Sequence, residues 1–227
     1  MIRKILRFVL WAAAIYAAVV TLLIVVYLIV PPVSTLMVAR WVTGQDVVRH
    51  WRPLDKISPN LVRAVVVSED SRICSHWGID WREVSDAISD ADELSDARGA
   101  STIAMQTARN LFLWPGRQLV RKAMEVPIAF VITLVWQPRR VVEIYLNIAQ
   151  WGPNGEFGAE AAARRAFGKS AASLTTWEAA VLAGSLPNPV RRNAARPGPG
   201  LRRVAGQVQA RVASDGGASV QCLDLRR

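Results

Sequence analysis

The stretch EDSRICSHWG, residues 69–78, sets two carboxylates and an imidazole directly after the apolar run LVRAVVV. A surface turn solvates its polar groups and needs no such approach. If residues 59–69 form a helix, Glu69 falls at its carboxyl end, where the helix dipole disfavours an anion. Packing beside the valines adds desolvation, and both effects raise a carboxylate's pKa. A carboxylate tuned upward suits general-base work. Asp70 and His76 fit a second role, hydrogen-bonding to hold the turn. Taken alone, the stretch also fits a solvated helix end.

A polar stripe follows in GASTIAMQTARN, residues 99–110. Gly99 supplies a turn, and Ser101 or Thr102 supplies the hydroxyl that caps a new helix. Thr102, Gln106 and either Arg109 or Asn110 then recur at helical spacing on one face. Helix amides leading such a stripe suit an anionic or sugar ligand, and a capped surface helix has the same pattern. Further on, Arg117, Arg121 and Glu125 lie four residues apart with Lys122 alongside. Cations in a first turn oppose the dipole, and arginine placed before glutamate is the weaker pair orientation. Helix stability does not explain these charges. A bound anion does, and so does a solvated ion pair.

The elements that must hold these groups are helices. MIRKILR carries three cations, and Phe8 to Val30 carries no charge, long enough to cross a bilayer as a helix. The run is too long for a signal peptide core, so it reads as an uncleaved anchor. The basic start stays cytoplasmic, which places the rest outside the cytoplasm. All 18 acidic residues follow this run, which leaves the remainder at +7 of the total +10. Outside the cytoplasm that charge excludes nucleic acid as a partner and favours lipid headgroups or phosphate-bearing substrates.

Past a connector at 31–54, a helix opens at Ser58-Pro59 and further helical patterns follow to about Leu186, with Gly or Pro at nearly every junction. Strand signals are few and short, so the fold class is mainly α. In RRVVEIYLNIAQ, Glu143 and Asn147 form a polar brace while Tyr145 belongs to the core. LTTWEAAVLAGSL reads as a capped helix with Glu178 near its start. Residues 191–227 form a basic C-terminal segment. Cys74 and Cys222 allow one disulfide or none. Cys222 sits in a poorly patterned tail, so no structural bridge is expected. No ligand cluster of metal-site spacing is visible.

Together these stretches resemble the peptidoglycan glycosyltransferases of glycosyltransferase family 51. EDSRICSHWG is similar to the family's E-D-x-x-F-x-x-H-x-G, with Ile73 in the phenylalanine position. GASTIAMQTARN is similar to G-x-S-T-I-x-Q-Q-x-x-K-N, departing at Met105 and Arg109. RKAME, RVVEIYLNIAQWG and LTTWEAAVLAGSLPNP complete the five motifs in order. No S-x-x-K or K-T-G motif of a transpeptidase is present. The resemblance covers about residues 55–190 and implies a lysozyme-like helical glycosyltransferase domain behind a single transmembrane helix, residues 8–30, in the inner membrane.

It further implies polymerisation of lipid II into glycan strands with release of undecaprenyl diphosphate. Glu69 matches the catalytic base and Glu125 the second glutamate. Substrate contacts fall to Asp70, His76, Ser101, Thr102, Gln106, Arg109, Asn110, Arg117, Arg121 and Lys122. No cofactor is required, although a divalent cation such as Mg2+ fits a diphosphate substrate. The implied partners are lipid II, the growing lipid-linked glycan, the bilayer, and division or elongation proteins.

Overall fold

The computed structural model describes residues 1–89, 101–114, 116 and 119–225. Arg117 and the loop expected before Ser101 lie outside the described residues.

Helix α1 (Ile2–Val26) has a mean hydropathy of 2.6 over its apolar window and is long and apolar enough to cross a membrane. It takes in the basic amino terminus and stops short of Val30, since Pro31 and Pro32 cannot continue it. Most of its surface is exposed, but Val20 and Ile24 are buried against the rest of the chain. The indole of Trp136 donates to the Ile24 carbonyl at 2.8 Å, and the Tyr16 hydroxyl donates to the Phe112 carbonyl at 3.0 Å. Arg140 donates to the Tyr27 carbonyl at 2.8 Å, satisfying an acceptor the helix end leaves open. The anchor is therefore docked from Tyr16 onward.

Two helical groups carry the site. Helix α3 (Pro59–Glu69) starts as its sequence predicts, with Ser58 accepting from the Asn60 N–H and Pro59 in the first turn. Leu61, Val62 and Ala64 to Val67 are all buried, so the helix is wrapped rather than amphipathic. It packs on α9 (Thr176–Ser185) and α10 (Pro199–Asp215). The capping box of Thr175 and Glu178 starts α9. In the second group, α5 (Ile103–Phe112) packs on α6 (Leu119–Val135) and α7 (Pro138–Ile148). Helices α2 (Thr35–Val42), α4 (Trp81–Ser89) and α8 (Ala159–Phe167) complete the described helices. The described strand structure is one parallel pair of two residues each, β1 (Val48–Arg49) and β2 (Glu156–Phe157).

The brace on α7 is real and serves the connector. Asn147 accepts from the Arg52 N–H and donates to the Arg52 carbonyl, both at 2.8 Å, while Glu143 accepts from the Leu54 N–H at 2.8 Å. A second brace lies under α8. Glu160 has no exposed side-chain surface. It accepts from Arg52 (3.0 Å), Arg164 (2.8 Å), Ser170 (3.0 Å) and the Ala171 N–H (3.0 Å).

Burial pushes the Glu160 carboxyl up, and those four donors outweigh it, setting its pKa at about 2. Its folded pKa is depressed, so its stabilisation is complete above the unfolded value near 4.5 and is lost as pH falls toward 2. Glu160→Gln is expected to lower stability by roughly 3 kcal/mol at neutral pH. Urea titrations at stepped pH should show that gap closing between about pH 5 and pH 2.

The two cysteines correct a sequence expectation. Cys74 and Cys222 form a disulfide, with Cα atoms 5.6 Å apart across 148 residues of chain. The tail has a packing pattern after all. Leu201, Ala205 and Val208 of α10 are buried. The 3-10 turn Ala218–Leu223 then buries Val220 and Leu223, which leaves Cys222 beside the 70–78 loop. That proximity is made by α10 folding back onto α3 and α9, a long-range event without a local sequence signal.

Candidate active site

Glu69 is the last residue of α3, at the carboxyl end of the helix as the sequence predicts, and is half-buried. Desolvation raises its pKa, and Asp70 next to it adds to the rise. A hydrogen bond from Gln106 and the charges of Arg109 and Arg192 act against it without cancelling it. Gln106 Nε2 donates to Glu69 Oε2 at 3.0 Å. Tyr145, buried in the core, donates its hydroxyl to Gln106 Oε1 at 3.0 Å. That bond fixes which way the amide faces, so Gln106 presents a donor to the carboxylate.

The loop after Glu69 is held from within. Asp70 is buried, and its Oδ2 accepts the Ile103 N–H at 2.9 Å, capping α5, while its Oδ1 meets His76 Nε2 at 2.8 Å. Desolvation would lower the imidazole's pKa, but the Asp70 bond and charge prevail and raise it. Thr102 is the N-cap of α5, accepting from the Met105 N–H at 3.1 Å and donating to the Gly78 carbonyl at 2.6 Å. Gly78 has a φ of +79°, and a Cβ there would stand 2.6 Å from the Ala129 carbonyl oxygen on α6. Glycine is required by both conformation and space.

These contacts sort the expected ligand residues. Thr102 has no exposed surface and both its bonds are internal, so it positions the loop. Asp70 and His76 also hold the turn. Ser101 is half-buried, its carbonyl 3.4 Å from Gln106 Nε2. Gln106, Arg109 and Asn110 are half-buried on the open side of α5.

Arg109, Asn110 and Arg121 line one cavity of about 270 Å³ with Thr35, Leu36 and Leu113. Arg121 is buried and ion-paired with Glu125 one turn along α6. Its Nε is buried with no hydrogen-bond partner among the described residues, a donor that an anion in the cavity would satisfy. Glu125 is raised by burial, and Arg109, Arg121 and Lys122 pull against that rise. Lys122 is exposed beside them. Arg109 thus acts on both carboxylates, linking the α3 and α6 ends of the site.

Two contributors were missed from sequence. Tyr145 read as core, and it is core; only its hydroxyl turned toward Gln106 gives it a second task. A tyrosine hydroxyl among the buried residues Ile144, Leu146 and Ile148 was the available signal. Arg192 lies in the basic segment past the last motif, half-buried, with Nη1 donating to the Gly184 carbonyl at 2.6 Å. Nothing in its neighbourhood of the sequence distinguishes it from Arg191 or Arg196.

The arrangement can do one kind of chemistry well. A poorly hydrated carboxylate accepts a proton from an attacking hydroxyl, while nearby guanidinium groups receive the negative charge of a phosphate leaving group.

The transglycosylase family pattern matches residues 36–213. The sequence is similar to the biosynthetic peptidoglycan transglycosylase of Nitrobacter winogradskyi, 53 % identical over 197 residues, covering 84 % of this chain and 87 % of that protein. It is similarly related to those named the same in Rhodopseudomonas palustris strain HaA2 (51 % over 213 residues, 93 % and 94 %) and Agrobacterium fabrum (48 % over 214 residues, 91 % and 94 %). With a family match from α2 to α10 and relatives about half identical over most of both lengths, this chain belongs to the transglycosylase family.

Proposed function

We propose that this protein polymerises lipid II into peptidoglycan glycan strands at the outer face of the cytoplasmic membrane. The observation that carries the reading is the pairing of Glu69, raised by desolvation, with a cationic cavity whose Arg109 also acts on Glu69. In the proposed step the 4-hydroxyl of the acceptor sugar attacks C1 of the donor. The new O–C1 bond forms as the bond from C1 to the diphosphate oxygen breaks, and the hydroxyl proton passes to Glu69. Undecaprenyl diphosphate leaves with the bonding pair, and Glu69 returns its proton to solvent or to that phosphate.

Arg109, Arg121 and Lys122 supply the positive charge the leaving diphosphate needs, and Glu125 orients Arg121. The same role is proposed for Arg117. The chemistry needs no cofactor, and a divalent ion such as Mg2+ would act on the substrate's diphosphate. A hydrolase would instead require an acid for a sugar leaving group and has no use for a cation cluster.

Three observations support the membrane setting. Helix α1 is docked on the domain from Tyr16, so the domain lies close to the bilayer. Phe130 and Leu134 on α6 and Trp41 and Val42 on α2 are exposed apolar residues suited to the bilayer surface. The disulfide fits an oxidising compartment, on the outer side of the anchor.

The test is to incubate the purified full chain in detergent with lipid II and, separately, with finished glycan strands. Growth of a polymer ladder from lipid II is the expected result. Cleavage of strands with no growth would overturn the reading.

A further inference from the structure

We propose that the Cys74–Cys222 bridge is a redox-sensitive positioning element: closed, it holds the 70–78 loop so that Glu69 stays seated on Gln106, and opened by a dithiol, it slows glycosyl transfer. The proposal rests on the glycosyltransferase reading above.

The bridge enters the catalytic loop near its middle. Asp70 ties one end of that loop to the Ile103 N–H, and Gly78 ties the other to Thr102, so both ends grip the first turn of α5. Gln106, which holds Glu69, lies in the next turn of the same helix. Between the two grips, Ile73 is buried and Cys74 is bonded outward to the tail.

The tail is itself an anchored arm. It turns at Gly216 and Gly217, both with positive φ, and the turn is fastened where Asp215 accepts from the Gly217 and Ser219 N–H groups. Val220 and Leu223 are buried, and Arg139 of α7 donates to the Leu223 carbonyl at 2.8 Å. The disulfide therefore fixes the loop to a support that also packs on α3 and α7. Without it, the middle of the loop keeps the buried Ile73 side chain, the Arg72–Asp80 ion pair at 2.6 Å, the His76–Asp70 contact and local bonds such as the Ser75 hydroxyl to the Arg72 carbonyl at 2.8 Å, and loses its covalent tie to the tail.

The chemistry balances with an external thiol pair. A dithiol, through one ionised sulfur, attacks one bridge sulfur, the S–S bond breaks and one protein thiol leaves. The reductant's second sulfur then attacks the mixed disulfide, releasing the other protein thiol as the reductant closes to its own disulfide. Two electrons and two protons pass to the protein. Closure is the reverse, with a small-molecule or protein disulfide as oxidant. Cys222 lies on the exposed side of the turn, so a soluble thiol reaches it.

The experiment uses the full chain in detergent, before and after dithiothreitol, with re-oxidation by glutathione disulfide. Thiols are counted by alkylation and intact mass. Turnover of lipid II is followed well below the unfolding temperature, and amide hydrogen exchange is read over residues 70–78 and 103–106. The oxidised protein should show no free thiol. Reduction should release two, lower kcat between about 10- and 100-fold with KM little changed, and speed exchange at Ile103; re-oxidation should restore all three.

A Cys74→Ala/Cys222→Ala double variant should sit at the reduced rate and ignore the reductant. Full kcat in protein with two titrated thiols would overturn the proposal, as would unchanged exchange at Ile103. A bridge that only stabilised the fold would lower Tm and leave kcat alone. If the oxidised protein polymerises nothing, the glycosyltransferase reading fails, whereas the thiol count and exchange still report on the clamp.

Discussion

Replacing Glu69 with glutamine is expected to lower kcat for lipid II polymerisation by about 10²–10⁴-fold, the range a positioned general base contributes. The isosteric amide keeps the shape beside Gln106 and removes the proton acceptor. KM should change little, since the carboxylate is asked to act on the attacking hydroxyl and not to hold the donor. In the wild-type enzyme only the ionised form works, so activity should fall on the acid side. Because desolvation raises this carboxyl, that fall should begin at a higher pH than an ordinary glutamate gives.

The stability effect has the opposite sign to the catalytic one. A carboxyl whose folded pKa lies above its unfolded value destabilises the fold once pH exceeds the unfolded value. Glu69→Gln should therefore be as stable as the parent, or more so, at neutral pH, while nearly inactive. Paired measurements of kcat and urea midpoint check both halves. A variant that kept its kcat would refute the base assignment.

Arg109→Met should produce the second large effect, a loss of about 10²–10³-fold in kcat/KM, comparable to removing one preorganised donor from a developing negative charge. Its cation lines the cavity with Arg121 and lowers the pKa of both Glu69 and Glu125. Removing it should raise both carboxyls further, so the acid limb of the rate profile should move to higher pH. Arg109→Lys keeps the charge and should restore most of the rate and the original limb. A pH profile unmoved in Arg109→Met would show that this residue serves the phosphate alone, or neither.

The contrast between Glu69 and Thr102 shows how far spacing could be read. Both sat at helix termini marked by local signals: valines and a helix end for Glu69, a hydroxyl after glycine for Thr102. The signal for Glu69 carried its environment with it, since burial of α3 and the end of its dipole follow from the residues themselves. Thr102 gave its capping role correctly, but spacing could not say whether its face met solvent. Packing of the Gly78 loop covered it.

The sequence alone determined the order of helices from α3 to α9, the apolar anchor and the polar residues that end α3, line α5 and open α6. Each is a local consequence of periodicity, capping or charge placement. Tertiary structure decided which of them meet: Gln106 facing Glu69 under the Tyr145 hydroxyl, Arg109 acting on two carboxylates, Arg192 brought back to α3, and Cys222 bonded to Cys74. Those pairings join residues far apart in the chain, and their geometry comes from helices packing into a shared core, which no local run of residues encodes.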